Sequence, residues 1–210
     1  MNSKIALCAA VVVFTAATST AEIIAVRFSG TGTGSLPPGT PFDSAPFEIT
    51  AQYDTAEIRT VPDTRFDLPL RNAPLHDAII TIAGIGSANF EIPLDLFSTR
   101  SASTAGLGRL VEPETAIAPD LFAMQSPLFA TYDPSSPIGP IFDPAPFAVE
   151  QFGDVPTALG RLDFTSMVDV TLETRVVPEP SSVAMLASGA LALLWGGRRR
   201  WLKHAMMRVS

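Results

Sequence analysis

Seventeen of the chain's nineteen prolines lie between Leu36 and Pro156. Proline has a fixed φ and no N–H to donate, so it breaks helix interiors and central strands alike. The region that holds them folds as short extended pieces joined by turns, and no stretch of it offers a long amphipathic helix. The apolar pattern agrees. Phe47, Ile49, Ala51 and Tyr53 alternate with Glu48, Thr50 and Gln52, the period-2 signature of a half-buried strand. Phe164, Ser166, Val168, Val170, Leu172, Thr174 and Val176 fall on one face of a longer run, with Thr165, Met167, Asp169, Thr171, Glu173 and Arg175 on the other. Glu22 to Phe28, Asp77 to Gly84, Ala88 to Ile92 and Leu121 to Tyr132 supply further strands. Ser29 to Ser35 reads as a loop by composition, and Ser98 to Gly108 as a long loop or a short helix. The expected fold is all-β: an antiparallel β-sandwich, jelly-roll-like, over residues 22–176.

Charge narrows the partners. Between Glu22 and Val177 stand eight arginines, no lysine and twenty acids, a net charge of −12. So acidic a surface repels phosphate backbones, which argues against nucleic acid.

The two ends differ from the body. Lys4 precedes an apolar run from Ile5 to Ala17, and Ser19 and Ala21 put small side chains where a signal peptidase needs them. Residues 1–21 read as a signal peptide cleaved after Ala21. The apolar run is about 20 Å long as a helix, too short for a hydrocarbon core of about 30 Å. Cys8, the only cysteine, lies inside this signal behind Leu7. The mature chain then has neither a disulfide framework nor a Cys-ligated zinc site.

At the other end, Val177-Pro178-Glu179-Pro180-Ser181-Ser182 closes the last strand, because two prolines two residues apart fix a backbone that cannot pair. Residues 181–197 form an Ala/Leu-rich run, about 25 Å as a helix, which reads as a transmembrane helix. Arg198, Arg199 and Arg200 follow as a stop-transfer cluster in a basic tail, 198–210, with Trp195 and Trp201 on either side. Such a cluster stays cytoplasmic and leaves the body outside.

The segment 177–210 resembles the PEP-CTERM sorting domain of Gram-negative and related bacteria: the Pro-Glu-Pro motif, the short span and the arginine triplet occur in that order. The resemblance covers Val177 to about Arg200. It implies recognition of Pro178, Glu179 and Pro180 by an exosortase, cleavage or transfer near them, and an association with exopolysaccharide and biofilm. The chain is then transiently anchored in the inner membrane before it reaches the cell surface or extracellular matrix.

Chemistry in the body is sparse. His76, beside Asp77, is its only histidine, and no Gly-x-Ser-x-Gly elbow accompanies it. Surface placement is the expectation over a triad. Asp43, Asp133, Asp143 and Asp154 lie in Pro/Ser/Gly segments and could offer oxygen ligands to Ca²⁺, but no calcium-loop motif is present. Glu91, Glu112 and Glu114 are the acids to consider for sugar hydrolysis, though exposed acids of an acidic domain explain them more cheaply. For sugar stacking the body has Tyr53, Tyr132 and phenylalanines but no tryptophan, a weak lectin signal. One internal echo stands out. Phe42-Asp-Ser-Ala-Pro-Phe47 and Phe142-Asp-Pro-Ala-Pro-Phe147 share a pattern one hundred residues apart. It reads as matched turn chemistry or as a duplicated ligand site. The expectation is a non-enzymatic, structural or adhesive surface protein with no catalytic residue, cofactor or metal. Its partners are signal peptidase, an exosortase, the membrane and an exopolysaccharide. The alternative is a secreted enzyme, or a sugar- or calcium-binding module, acting on the polysaccharide.

Overall fold

A computed structural model describes residues 21–36, 40–63, 68–109 and 120–178. The expected signal peptide, Glu112, Glu114, Glu179, Pro180, the span 181–197 and Arg198 to Arg200 lie outside them, apart from Ala21. Among these described residues there are eleven strands: β1 Ile23–Leu36, β2 Thr40–Asp54, β3 Arg59–Asp63, β4 Leu68–Ile82, β5 Gly86–Asn89, β6 Leu94–Thr99, β7 Thr104–Arg109, β8 Asp120–Gln125, β9 Ile141–Asp143, β10 Val155–Thr157 and β11 Gly160–Val176. Among the described residues the only helical pieces are 3-10 turns at Thr55–Glu57, Pro127–Ala130 and Val149–Gln151. All strand pairs are antiparallel, as the alternating pattern requires.

The order β11-β1-β2-β4-β6-β7-β8 is a meander whose last strand returns beside its first. β4 belongs to both layers. Its second half pairs with β2 and β5, its first half with β3 and β6. The strand changes sheets near Asp77, whose φ of 52° opens a bulge; such bulges make the corners of packed sheets. Two seams bring the layers almost to a barrel. At one, β9 pairs with β11 while Phe147 and Ala123 of β8 exchange backbone hydrogen bonds of 2.8 and 2.9 Å. At the other, Glu91 N–H donates to Pro156 O and Ala158 N–H to Asn89 O.

The Gly/Thr-rich stretch expected as a loop is the second half of β1. The reason is packing. Gly30, Gly32 and Gly34 face inward; a Cβ would meet Val170 and the Phe47 ring at the first, the Phe164 ring at the second, and the Asp163 carbonyl and Phe42 ring at the third, with Phe42 Cζ 2.8 Å away. Here glycine makes room for aromatic rings, which cover the bare backbone. The rings continue as a chain through the core. Phe42, Phe47 and Phe152 contact Phe164 at 5.3, 5.2 and 4.9 Å between centroids, and Phe122 contacts Phe28 at 5.1 Å. Phe28, Phe122 and Phe152 are fully buried, and truncating any of them costs about 3–5 kcal/mol. Ser98 to Gly108 is neither loop nor helix but the β6–β7 hairpin. Phe97 stands directly across from Gly106 and covers it.

The alternation expected along β11 holds at both ends and slips in between. Met167 is buried and Val168 is 45% exposed. The register against β1 shifts between Thr33 and Gly34 and again between Ser29 and Thr31. The second shift sits at Asp169, φ 56°. One extra residue turns every following side chain to the opposite face, and a second extra residue restores the phase.

Candidate functional site

The start of β1 and the end of β11 meet at one pole of the body. β1 starts at Ile23 and β11 ends at Val176, and the two strands run antiparallel with Ile24 opposite Val176. The β-branched residues at both ends (Ile23, Ile24, Val176) suit edge-to-edge pairing. Val177 N–H donates to Ile23 O at 2.8 Å, prolonging the ladder by one bond. Glu22 is tied in as well: its N–H donates to Thr55 Oγ1 at 2.9 Å and its carbonyl accepts from Thr55 N–H at 3.0 Å. On the far side of β11, Thr174 N–H donates to Ile138 O at 3.0 Å, and Thr174 Oγ1 accepts from Ile138 N–H at 2.7 Å. Ala21 and Pro178 are both exposed at this pole.

The same pole carries a small ionic cluster. Asp133 receives Arg100 Nη2 at 2.9 Å and Arg71 Nη2 at 3.3 Å, and its Oδ1 accepts from Ser135 N–H at 3.0 Å. Partial burial works to raise its pKa. The Ser135 hydrogen bonds and the two guanidinium charges outweigh this and hold the carboxyl below its usual range. Beneath it Tyr53 donates its hydroxyl to Pro134 O at 2.7 Å. Burial pushes the Tyr53 hydroxyl far up and raises that of Tyr132, which keeps both neutral. These two tyrosines are core residues, 0% and 4% exposed, so neither offers a face for sugar stacking. Asp95 on β6 is 3% exposed, and its Oδ1 has no hydrogen-bond partner among the described residues. Burial lifts its pKa to about 6, against the pull of the Arg59 charge.

The remaining candidates stand apart from one another. His76 Nε2 and Glu57 Oε2 are 2.6 Å apart, both half exposed. Asp77 accepts from Gln52 Nε2 at 3.0 Å. Glu91 is exposed on another part of the surface. The aspartates considered for Ca²⁺ are each engaged by protein donors. Asp43 accepts from Thr33 and Ser44 hydroxyls, Asp143 from Gln125 N–H and Ala145 N–H, and Asp154 pairs with Arg161. No group of three His, Cys, Asp or Glu that could hold a metal occurs among the described residues. Nor is any helix among them long and apolar enough to cross a membrane.

The two copies of the echoed hexapeptide are placed differently. Phe142 and Phe147, the rings of the second echo copy, are 56% and 45% exposed, whereas Phe42 and Phe47 of the first copy are 7% and 3% exposed. Phe147 borders an open groove of about 530 Å³ with Glu150, Thr165 and Ser166 on its walls. A second groove of about 470 Å³ lies by Asp77, Ile79 and Phe90. Each groove contains one carboxylate, Glu150 or Asp77. The echoed phenylalanines were the available signal, but the strand phase that turns them outward is set by their partners.

Residues 176–200 match the model of the PEP-CTERM protein-sorting motif. The match begins on the last residue of β11 and covers the segment in which Pro178, Glu179 and Pro180 were picked out. Such a motif marks a chain for export and for sorting by an exosortase. No curated protein and no solved structure matches the chain.

Proposed function

We propose that this chain is an exported protein delivered to the cell surface or extracellular matrix, where its β domain plays a structural or adhesive role. The domain is the cargo of sorting and performs no catalysis of its own. One observation carries the reading. The closing strand of an acidic body ends at Val176, and the sorting motif follows at once, at the pole where the N-terminal strand also begins.

In this reading signal peptidase cuts after Ala21 and residues 22–176 form the ectodomain. The segment 177–210 carries the sorting information, with a membrane helix over 181–197. Arg198, Arg199 and Arg200 hold the tail in the cytoplasm, and an exosortase acts at Pro178, Glu179 and Pro180. The absence of catalysis is supported by the placement of the polar groups. His76 faces a carboxylate instead of a nucleophile. Each groove offers one acid where glycoside hydrolysis needs a pair.

The test is intact mass and location in the native host, beside a variant with Pro178, Glu179 and Pro180 replaced by alanine. Loss of both ends in the wild type, with the C-terminal segment kept in the variant, is the expected result. A wild type that retains its C-terminal tail and stays in the inner membrane overturns the sorting reading.

The exposed rings favour one elaboration, adhesion to the polysaccharide matrix. Phe147 borders a groove that holds the Thr165 and Ser166 hydroxyls, and Phe142 is exposed opposite Thr171, on the strand that carries them; these are apolar rings with hydrogen-bonding neighbours that suit a neutral sugar chain. Retarded migration in native gels containing neutral polysaccharide, abolished by Phe142→Ala with Phe147→Ala, is the expected behaviour. Equal mobility with and without the polymer refutes it.

A further inference from the structure

We infer that the groove beside Asp77 takes a lysine side chain from another protein. This goes beyond the sorting and adhesion readings and depends on neither. The groove, about 470 Å³, opens where β4 leaves one sheet for the other. Asp77 stands at that bulge with φ 52°, and bulges re-aim side chains in this way next to binding sites. The chain that follows β5 forms the other wall. Phe90 N–H donates to Ala78 O at 3.0 Å, and the Phe90 ring lies against the buried Phe152, 6.4 Å between centroids. Ile79 and Asn89 are directly opposite one another in the β4–β5 pair, so their side chains share a face. Ile79 is 36% exposed, a large apolar side chain left open to solvent in the groove.

Leu75, Ile79, Phe90 and Ile92 make the lining apolar, and its polar side chains are Asp77 and Asn89. No cationic side chain is among the described residues that line it. One carboxylate beside an apolar trough complements an ammonium on an aliphatic stem, because the methylenes can lie along the trough while the charge reaches the acid. Two features select lysine over other cations. Gln52 Nε2 already donates to Asp77 Oδ2 at 3.0 Å. That leaves Oδ1 for a point charge, whereas the arginine fork is matched to both oxygens. An amino sugar would surround its ammonium with hydroxyls that the apolar walls leave unpaired. Composition then places the lysine outside the body. Residues 22–177 contain no lysine, so a second copy of the body cannot supply one, and their acidic surplus attracts a basic partner.

The test follows the methyl groups of Ile79 and Ile92 and the Asn89 side-chain amide by NMR. The purified full chain in detergent micelles is titrated with Nα-acetyl-lysine methylamide. Saturable shifts confined to the groove, with a Kd of about 1–10 mM, are expected for a ligand held by one charge and a short stem. The norleucine analogue keeps the stem without the charge and should bind about fivefold more weakly, the upper end for an exposed ion pair. Asp77→Asn should weaken the lysine probe by the same factor. Asparagine tolerates the left-handed backbone, so the bulge survives. Ile79→Ser removes apolar wall without touching the charge and should also weaken binding, while Glu150→Gln at the other groove should leave it unchanged. Equal binding of the two analogues, or by wild type and Asp77→Asn, overturns the inference. It is overturned as well by the absence of shifts at the groove, by shifts spread over the whole acidic surface, or by glucosamine or the arginine analogue binding as tightly as the lysine probe.

Discussion

Replacing Asp95 by asparagine should stabilise the body by more at neutral pH than in acid. Asp95 lies on β6, 3% exposed, with one carboxylate oxygen lacking a partner among the described residues. Moving its ionisation from 3.8 to about 6 penalises the charged, folded form by about 3 kcal/mol, since each pKa unit is worth about 1.4 kcal/mol. The sign follows from proton binding. Below about pH 4 folded and unfolded chains both keep the proton, and the group contributes no pH dependence. Between about 4 and 6 the folded chain holds the proton while the unfolded chain gives it up, so stability falls as pH rises. Above about 6 the full penalty is in place. Asparagine preserves the shape and cannot ionise. At about 2–4 °C per kcal/mol for a domain of this size, the gain in Tm at pH 7.5 is at most about 6–12 °C. Thermal melts of both proteins at pH 4.5, 6 and 7.5 read it. The useful quantity is how the Tm difference changes with pH, because any constant effect of the new amide cancels. A difference that does not grow between pH 4.5 and 7.5 refutes the argument.

Gly106→Ala should cost about 1–3 kcal/mol by overpacking, because its Cβ meets the Phe122 carbonyl and stands 2.8 Å from Phe97 Cζ. Gly139→Ala, with nothing within 4 Å, is the neutral control in the same denaturant titration. Tyr53→Phe removes the donor to Pro134 O and should lower stability by about 1 kcal/mol, read as a fall in Tm of about 2–4 °C. Asp133→Ala should destabilise at neutral pH, where its carboxylate holds Arg71 and Arg100. Because its folded pKa is lowered, that difference should vanish as acid protonates the wild type, and a loss that persists at low pH contradicts the assignment. Asp143→Ala should cost about 2 kcal/mol or more, because it strands the Gln125 and Ala145 N–H groups. Asp43→Ala, at an exposed position with hydroxyl donors, should stay within about 1 kcal/mol; equal losses refute the difference drawn between them.

What the sequence discloses depends on how far apart the deciding residues are. The alternation of Phe47, Ile49, Ala51 and Tyr53 is local, and all four side chains are buried as it requires. The sorting motif is local too, a linear string in which neighbouring residues carry the signal, and the family match falls on it. The glycines of β1 signal a loop by composition because their purpose is visible only with Phe42, Phe47 and Phe164 laid against them. Val168 is apolar and in phase with buried neighbours, yet it faces solvent, because two bulges shift β11 against β1 and then restore it. Bulges are created by a partner strand, and a single strand's pattern does not contain its partner. The same limit hid the pole where the first and last strands meet. That Val177 N–H bonds to Ile23 O follows from the pairing of the first and last strands, a long-range fact with no local trace.

The echoed hexapeptide shows how one pattern serves two placements. In Phe42 to Phe47 a bulge at Ser44, φ 48°, lets both rings reach the core while Asp43 stays outside beside Thr33. In Phe142 to Phe147 the aspartate is inside, 6% exposed, and the rings are out. The inversion has a structural cause. The second copy lies between β11 and β8, whose facing edges must be joined to close the body. Asp143 does this from its Val170 pairing by accepting from Gln125 N–H at 2.7 Å, and Phe147 by exchanging hydrogen bonds with Ala123. A carboxylate that bridges two strand edges must point between them, and in an extended segment that sends the adjacent ring to the opposite face. Exposure of Phe142 therefore follows from the demands of closure, whatever use the surface makes of it. Polar bonding at the seam decides the phase here against the preference of a large ring for burial, which is about 2–3 kcal/mol when a side chain is fully enclosed.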